Sequence, residues 1–352
     1  MSSSEPIQES PDKRVWRNAG GLLLGGGVAD LLNVIVQAQI VLMLGPEALG
    51  QMGQAQAVAD IADGVGGMGM NQVGPVHGVR HEQRIGAFLG SMLMLRFATA
   101  AIALLAVWFV APMFESTAAW IIRLMALAVV ISPVATAANV AFFLRQENYK
   151  VAWVPGVTAI LNIVLMGIVF VVSPTLEAVI VVMLIVRLVT AGWYLVLAKR
   201  RYKMKLTVRK EFIKELLPAG FKAGWVDVVV IIYMRASYFV LDGMGAAMLG
   251  IYTLADRITN PILRITGPLS GSALPVFAEL AQAGKYDELA AFYRRTLVKL
   301  VWLLLASAAL IYGVAPWAVR TWLPEYLNAL DVMYVLMIGV GFMMFNQINV
   351  AC

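Results

Sequence analysis

The stretch MLGIYTLADRITNPILRITGPLSGSALP (248–275) joins a mostly apolar composition to two arginines and three prolines. It is too apolar for a solvated surface, and it is longer than the roughly 20 residues that a helix needs to cross a bilayer core. Six of its residues recur at intervals of three or four and therefore share one helix face: Arg257, Pro261, Arg264, Pro268, Gly271 and Pro275. Each proline leaves the carbonyl four residues earlier without its usual donor, which is costly in lipid. This face is predicted to line a hydrated, bendable cavity; the alternative is ordinary kinks in a packed helix.

The composition of the whole chain predicts an integral membrane protein. Of its 352 residues 61% are hydrophobic and 14% are charged, and the mean hydropathy is +0.79. Soluble domains have roughly 45–50% apolar and about 25% charged residues, so the excess apolar surface requires lipid. The single cysteine, Cys352, excludes a disulfide framework. Residues 1–17 are polar and predict a cytoplasmic tail rather than a signal peptide.

Ten segments are long enough to cross a membrane as helices. Lipid admits only helices or closed barrels, and these runs lack the two-residue alternation of barrel strands, so an all-α polytopic fold with about ten transmembrane helices is predicted. The predicted spans are 18–44, 51–76, 85–111, 119–144, 151–172, 178–198, 218–242, 249–277, 294–316 and 330–352. All connections are too short to form a catalytic domain, which argues against an enzyme.

Motifs for bound cofactors are absent from the sequence. We find no phosphate-binding loop, dinucleotide-binding glycine motif or zinc motif, and no cofactor is predicted. His77 and His81 lie four residues apart, but two ligands are too few for a metal site, and both are predicted to be exposed in a loop. The glycine-rich stretch IADGVGGMGMNQVG (61–74) lies within a span and predicts close helix packing.

The distribution of positive charge predicts the orientation in the membrane. With the N-terminus inside, 18 of the 27 lysines and arginines fall in inner segments, eight of them in KRRYKMKLTVRKEFIK (199–214). Only Arg320 falls in an outer loop. Because basic residues favour cytoplasmic loops, the N-terminus is predicted to be cytoplasmic, and the net charge of +6 is explained without nucleic acid.

The sequence also repeats itself. Leu-Gly and a following alanine in EALGQMGQAQAVADI (47–61) recur in AMLGIYTLADRI (247–258), and FVAPMF (109–114) is echoed by GVAPWA (313–318). The near-constant offset predicts two related lobes. We predict a six-helix N-lobe at 18–198, a basic cytoplasmic connector at 199–217 and a four-helix, incomplete C-lobe at 218–352.

Several charged residues fall within the predicted spans. Arg96, Arg187, Arg235 and Arg264 are near mid-span, where each costs about 2.5–3.5 kcal/mol on insertion scales. Gln56, Asp60 and Asp63 share one helix face, as do Arg235 and Asp242 on another helix. Two interpretations stay open: ion pairs that hold the bundle together, or a polar, net-basic cavity between the lobes. Guanidinium groups in such a cavity would suit phosphate.

Three stretches resemble the Wzx-type polysaccharide and O-antigen flippases of the multidrug/oligosaccharidyl-lipid/polysaccharide exporter superfamily. The similarity extends over about residues 14–350 and is carried by three stretches: LGPEALGQMGQAQAVADIADGVGGMGMN (44–71), YMRASYFVLDGMGAAMLGIYTLADRI (233–258) and ALPVFAELAQAGKYDELAAFYRR (273–295). The resemblance implies two six-helix lobes around a central cavity with a cationic lumen. Twelve spans are expected from it, so the ten found here suggest a truncated chain or a lobe closed by a partner.

The resemblance also implies a function. Its members move undecaprenyl-pyrophosphate-linked oligosaccharides across the bacterial inner membrane by ion-coupled alternating access, in lipopolysaccharide and other polysaccharide biosynthesis. The residues expected to attract the anionic head group are Arg96, Arg187, Arg235, Arg257 and Arg264. The candidates for proton or sodium coupling are Asp30, Asp60 and Asp63, with Asp30 matching a first-span aspartate of the drug-exporting branch. Implied partners are the lipid-linked oligosaccharide, the coupling ion, membrane lipid and the polysaccharide polymerase machinery.

The sequence leaves three alternatives open. A multidrug cation antiporter of the same superfamily would prefer an acidic, aromatic cavity, whereas the mid-span charges here are mostly basic. A membrane enzyme acting on polyprenyl-linked sugars would need a sizeable loop with carboxylates or histidines. An inactive truncated member would retain mid-membrane charges without transport.

Overall fold

The computed structural model describes residues 11–114, 116–145, 147–202, 206–282 and 284–349, and every regular element in these ranges is helical. The helices are α1 (Pro11–Met43), α2 (Pro46–Gly67), α3 (Met70–Gly78), α4 (Ile85–Val110), α5 (Ser116–Ala126), α6 (Ala128–Leu144), α7 (Val154–Val172), α8 (Leu176–Tyr202), α9 (Lys210–Asp242), α10 (Ala246–Gln282), α11 (Tyr286–Ala309), α12 (Ala315–Trp322) and α13 (Ala329–Asn349). The all-α prediction is confirmed. It follows from long apolar runs that must satisfy their backbone groups internally in lipid.

Eight segments of the described residues are long and apolar enough to cross a membrane. They are Gly26–Met43, Ile85–Met113, Ala118–Leu144, Val154–Val172, Leu176–Tyr202, Lys210–Asp242, Tyr286–Trp322 and Ala329–Asn346. The two remaining predicted spans, 51–76 and 249–277, are helical but carry charged residues. The first of them is broken between α2 and α3, where Met68 and Gly69 have φ values of 47° and 62°. The chain is therefore a multi-pass membrane protein.

The repeated Leu-Gly pairs meet in the structure. α2 begins at Pro46 and α10 begins at Ala246, the same offset that separates Gly50 from Gly250. A Cβ atom at Gly50 would lie 1.9 Å from the Ala246 carbonyl oxygen, and one at Gly250 would lie 1.7 Å from the Pro46 carbonyl oxygen. The contact is reciprocal, as expected of two equivalent segments packed across a local twofold axis. Glycine is required at both positions because the backbones approach too closely for a side chain.

The second pair of repeated motifs marks equivalent irregularities. α4 gives way to a 3₁₀ turn at Ala111–Met113, and α11 gives way to a π-helical turn at Leu310–Val314, which ends two residues before Pro316. Because proline cannot donate a backbone hydrogen bond, regular α-helix is interrupted near each Ala-Pro pair.

Contacts divide the chain into two compact units. The first contains α1, α3–α9 and most of α2; the second contains Gly45–Gly50 and the residues from Met244 onward. In the first unit, α1 packs against α7, and α6 packs against α4 and α8. In the same unit, α9 packs against α3 and α4. In the second unit, α10 packs against α11 and α13. This grouping differs from the predicted lobes, because it places α9 in the first unit. The lobe boundary, which rests on the sequence repeat, stays a prediction.

The predicted connector at 199–217 is largely helical, since α8 continues to Tyr202 and α9 begins at Lys210.

The Glu147 side chain, which follows α6, accepts hydrogen bonds from three other side chains. Its carboxylate accepts hydrogen bonds from Arg201 and Tyr202 at the end of α8 and from Lys150. The Arg201 hydrogen bond, helped by those from Lys150 and Tyr202 and opposed by partial burial, lowers the pKa of Glu147 to about 2 from its ordinary value of 4.5. Glu147 itself lies between two membrane-spanning segments, and the cluster joins the ends of α6 and α8.

Replacement of Glu147 by glutamine is expected to lower the free energy of unfolding at pH 7. Because folding lowers the pKa of Glu147, its contribution is complete above pH 4.5 and is lost as the pH falls toward 2. The difference between wild type and Glu147→Gln should therefore shrink across that interval, as measured by tryptophan fluorescence during denaturant unfolding in detergent micelles. Glu177→Gln, at an exposed position of α8, serves as the control. A difference that stays constant from pH 7 to pH 2 would contradict the assignment.

Alanine at Gly250 is expected to destabilise the second unit. The added Cβ would overlap the Pro46 carbonyl oxygen, and overpacking of this kind typically costs about 1–3 kcal/mol. Gly192→Ala in α8 is the matched control, because a Cβ there meets no atom within 4 Å and alanine favours a helix by about 1 kcal/mol over glycine. Thermal unfolding in detergent should give a lower midpoint for Gly250→Ala and an unchanged or higher one for Gly192→Ala. Equal midpoints in the two variants would show that the close crossing is not required.

Candidate functional site

The polar face of α2 carries two carboxylates inside the first unit. Asp60 and Asp63 are one turn apart and both are half-buried. Their spacing places them on neighbouring positions of one helix face. Each has its own cationic neighbour on a different helix, so that the two acids are neutralised separately.

Asp60 pairs with Arg235 of α9. The Asp60 Oδ2 and Arg235 Nη2 atoms are 2.6 Å apart, and the two side chains are 28% and 23% exposed. The Arg235 guanidinium also lies over the ring of the buried Tyr238, with 5.5 Å from Cζ to the ring centroid. Arg187 of α8, which is exposed, adds a favourable charge interaction with Asp60. Two of the predicted arginines thus act on one predicted aspartate.

Asp63 reaches Arg96 through a hydroxyl group. Ser132 of α6 donates to Asp63 Oδ1 at 2.6 Å and accepts a hydrogen bond from Arg96 Nη2 at 3.1 Å. Arg96 Nη1 donates to Asn71 Oδ1 at 3.0 Å. Only 2% of Arg96 is exposed, and its Nε atom is buried without a hydrogen-bond acceptor. Arg96 therefore links α4 to α6 and, through Ser132, to α2, and its guanidinium is enclosed by protein in this conformation.

The other predicted site residues lie elsewhere. Asp30 is exposed on α1, which packs against α7. Arg257 is half-buried in α10 of the second unit, within electrostatic range of the buried Tyr326. Arg264 belongs to α10 by its backbone, and its side chain lies outside the described residues. The structure thus brings together five of the eight, Asp60, Asp63, Arg96, Arg187 and Arg235, which we call the intramembrane cluster.

Within the described ranges, the Asp60–Arg235 pair and four further polar contacts join α9 and the residue before it to the segment from α2 to α4. The other four, from the beginning of α9 onward, are Ser91 with the Arg209 backbone, Arg84 with Glu211, His77 and His81 with Glu215, and Gln72 with Asp227. We call these five contacts the polar ladder of α9. From Arg209 to Arg235 it extends about 39 Å at the rise of an α-helix, more than the thickness of a bilayer core.

The two histidines were predicted to be exposed, and that prediction is wrong. His77 Nδ1 and His81 Nε2 lie 2.7 and 2.9 Å from the two oxygens of Glu215, and their side chains are 20% and 22% exposed. The His81 ring also packs edge-on against Phe212, with centroids 4.9 Å apart. Nothing in the local sequence indicates this partner, because Glu215 is more than 130 residues away along the chain. Among the described residues, no group of three or more metal-binding side chains is arranged to hold a metal ion.

Close backbone contacts accompany the ladder. A Cβ at Gly69 would lie 2.5 Å from the Gly224 backbone nitrogen, and one at Gly220 would lie 2.8 Å from the Met68 carbonyl oxygen. The break between α2 and α3 therefore rests directly on α9. This confirms that the glycine-rich stretch 61–74 serves close helix packing.

A comparison with protein-family models matches residues 15–281 to the family described as polysaccharide biosynthesis protein. The chain belongs to this family. The match includes the whole intramembrane cluster and the polar ladder. A search of curated proteins finds no significant match.

Solved transporter structures share the fold. An inward-facing multidrug resistance MATE transporter of the MOP superfamily gives a TM-score of 0.70 at 17% identity, covering 96% of this chain and 83% of the other. An outward-facing member gives 0.63 at 17% identity, covering 97% and 82%. A MOP superfamily transporter from Pyrococcus furiosus, described by the reverse polarity of its binding pocket, gives 0.62 at 16% identity, covering 100% and 87%. At these identities the comparison establishes the fold and leaves the substrate open.

Replacement of Glu215 by glutamine is expected to destabilise the packing of α9. The carboxylate holds two histidines in partly buried contacts, and charge-assisted hydrogen bonds of this kind contribute about 1.5–3 kcal/mol. Glu211→Gln is the matched control one turn earlier, because its exposed ion pair with Arg84 is expected to contribute at most about 1 kcal/mol. Hydrogen exchange of the α9 backbone should accelerate in Glu215→Gln and change little in Glu211→Gln. Equal exchange in both variants would contradict a structural role for the two histidines.

Proposed function

We propose that this protein is a transporter that flips lipid-linked oligosaccharide, carried on undecaprenyl pyrophosphate, across the bacterial inner membrane. The observation that carries the proposal is the intramembrane cluster, found in a member of the polysaccharide biosynthesis family. In the cluster three guanidinium groups face two carboxylates, so one positive charge is left over. Such an excess would attract the anionic pyrophosphate.

The cluster differs in accessibility from one residue to the next. Arg187 is exposed on α8, and the Asp60–Arg235 pair is about one-quarter exposed, whereas Arg96 is enclosed. A charged side chain within a span is tolerable when it faces water or a partner. We therefore assign the head-group contact to Arg187 and Arg235, and the ordering of α4 against α6 to Arg96. Arg257 and Arg264 of α10 are proposed to offer further cations.

The polarity of the cluster separates this proposal from export of cationic drugs. Cationic substrates are attracted by carboxylates and aromatic faces, but each carboxylate of the cluster already lies beside an arginine. The Pyrococcus furiosus protein, described by the reverse polarity of its pocket, supports the view that this fold accommodates pockets of more than one polarity.

The energy source is proposed to be an ion gradient. Neither the sequence nor the site offers a nucleotide-binding motif, whereas Asp60, Asp63 and Asp30 are carboxylates within predicted spans. Alternating access would then expose the cluster first to the cytoplasmic side, where the N-terminus is proposed to lie, and then to the other side. The product would be consumed by the polysaccharide polymerase machinery.

Flipping is tested in proteoliposomes with a fluorescent oligosaccharide on undecaprenyl pyrophosphate, whose label becomes accessible to a quencher on the far leaflet. Arg187→Ala is expected to reduce the rate at least about tenfold, the equivalent of one charge-assisted hydrogen bond. Arg187→Lys should recover part of the rate, because it keeps the charge without bidentate geometry.

Arg320→Ala, at an exposed position far along the chain in α12, is the control and should flip at the wild-type rate. Wild-type rates in Arg187→Ala would refute the role of the cluster, and wild-type rates in Arg257→Ala and Arg264→Ala would refute the role of the α10 face. Transport of a cationic dye, without transport of the lipid-linked sugar, would indicate an antiporter instead.

A further inference from the structure

The last turn of α8 is basic. It contains Lys199, Arg200 and Arg201. The Glu147 carboxylate binds Arg201 and also Lys150, so this acid is already shared by two cations. Lys199 and Arg200 are exposed, and neither has a hydrogen-bond or ion-pair partner among the residues that the structure describes. Two adjacent positive charges can therefore bind an anion at this end of α8.

Two tryptophans lie further into the span than these charges. Trp193 of α8 and Trp153, directly before α7, meet edge to face with ring centroids 5.1 Å apart. The Trp153 indole nitrogen donates to the Lys150 carbonyl oxygen at 2.8 Å, and Trp153 is 42% exposed. Trp193 packs against the apolar core formed by α6, α8 and the start of α7. Because tryptophan is enriched at the boundary between lipid head groups and hydrocarbon, the pair marks that depth.

An exposed apolar stripe continues from each tryptophan into the span. In each stripe the residues recur at intervals of three or four, so they share one helix face. The stripe of α8 consists of Val189, Trp193, Val196 and Arg200, and that of α7 consists of Trp153, Val157, Ile160 and Val164. α7 packs against α8, and the contact between the tryptophans joins the two stripes. We call these two stripes, together with Lys199, the α7–α8 seam.

We propose that the α7–α8 seam binds an anionic phospholipid of the leaflet at the end of α8, the leaflet proposed to be cytoplasmic. Arg200 and Lys199 contact the phosphate through charge-assisted hydrogen bonds. Trp153 and Trp193 lie at the level of the glycerol esters, and an acyl chain follows the aliphatic residues below them. A zwitterionic lipid binds less well, because its own ammonium group meets two cations.

The order of groups along the seam is the argument for a lipid rather than a soluble phosphate. Cations, indole rings and aliphatic side chains succeed one another on one surface, as phosphate, esters and acyl chains do in a phospholipid. The seam is also separate from the arginine proposed to meet the transported head group. Arg187 lies on a different face of α8 from Trp193 and about 20 Å from Arg200 along the helix. The proposal therefore does not depend on what is transported.

The site is tested by quenching of tryptophan fluorescence with brominated lipids. The full-length protein is reconstituted in phosphatidylcholine vesicles that contain brominated phosphatidylglycerol or, at the same mole fraction, brominated phosphatidylcholine. Bromine quenches an indole only at close range, so the comparison reports which lipid occupies the seam. The chain has nine tryptophans. The signal of Trp153 and Trp193 is therefore isolated by subtracting that of the Trp153→Phe/Trp193→Phe variant, prepared in each charge background.

We expect brominated phosphatidylglycerol to quench the pair more strongly than brominated phosphatidylcholine. Arg200→Gln should weaken this preference about fivefold, the equivalent of one basic residue near an anionic membrane surface. Lys199→Gln/Arg200→Gln should abolish it. Arg294→Gln/Arg295→Gln is the matched control, since these adjacent arginines are also exposed but lie in α11, and it should keep the wild-type preference.

Three outcomes would overturn the proposal. Equal quenching by the two lipids in the wild type would show that the seam does not select an anionic head group. An unchanged preference in Lys199→Gln/Arg200→Gln would show that these residues do not provide the selection. Displacement of brominated phosphatidylglycerol by undecaprenyl pyrophosphate, but not by the same amount of unlabelled phosphatidylglycerol, would assign the seam to the transported lipid instead. The wild-type comparison requires no charge variant, so it does not depend on the stability of one.

Discussion

The cost of an unpaired charge inside a membrane organises the first unit. Asp60 or Arg235 alone would cost about 2.5–3.5 kcal/mol in a span on insertion scales; at 2.6 Å each supplies the counter-charge of the other. Once this pair holds α2 against α9, the next turn of α2 brings Asp63 to Ser132 and, through it, to Arg96. The position of the polar helix α2 is therefore determined by its ion pair and hydrogen bonds to neighbouring helices rather than by its hydropathy.

The polar ladder and the close glycine contacts depend on each other. Lipid chains are as apolar as leucine side chains, so helices in a bilayer gain little specificity from apolar burial. Side chains as short as those of Gln72 and Asp227 can meet across two helices only where the backbones are near. At Gly220 and Gly224 the backbone of α9 closely approaches the break between α2 and α3. The polar contacts, in turn, determine which of the available apolar faces α9 meets.

Local properties of the sequence were sufficient for the fold class, because hydropathy and helical period belong to single segments. The repeat indicated that Gly50 and Gly250 are equivalent, but their mutual contact depends on tertiary packing and could not be deduced from it. Mid-span charge likewise identified Arg235 as a residue that needs a partner. Its spacing suggested Asp242 on the same helix, and the structure selects Asp60, 175 residues away. Ser132 gave no signal at all, since a hydroxyl group in an apolar helix is common and uncharged.

The sequence repeat predicts that α1 and α9 are equivalent, but these two helices have different attachments. α1 packs against α7 and carries buried apolar side chains such as Val36 and Ile40. α9 is joined to α3 and α4, and its ladder includes carboxylates, histidines and arginines. Apolar packing does not change with protonation or with anion binding, whereas either can break an ion pair. Ion pairs therefore contribute to the attachment of α9. The sequence repeat predicts that α9 belongs to the second lobe, whereas its contacts place it in the first unit.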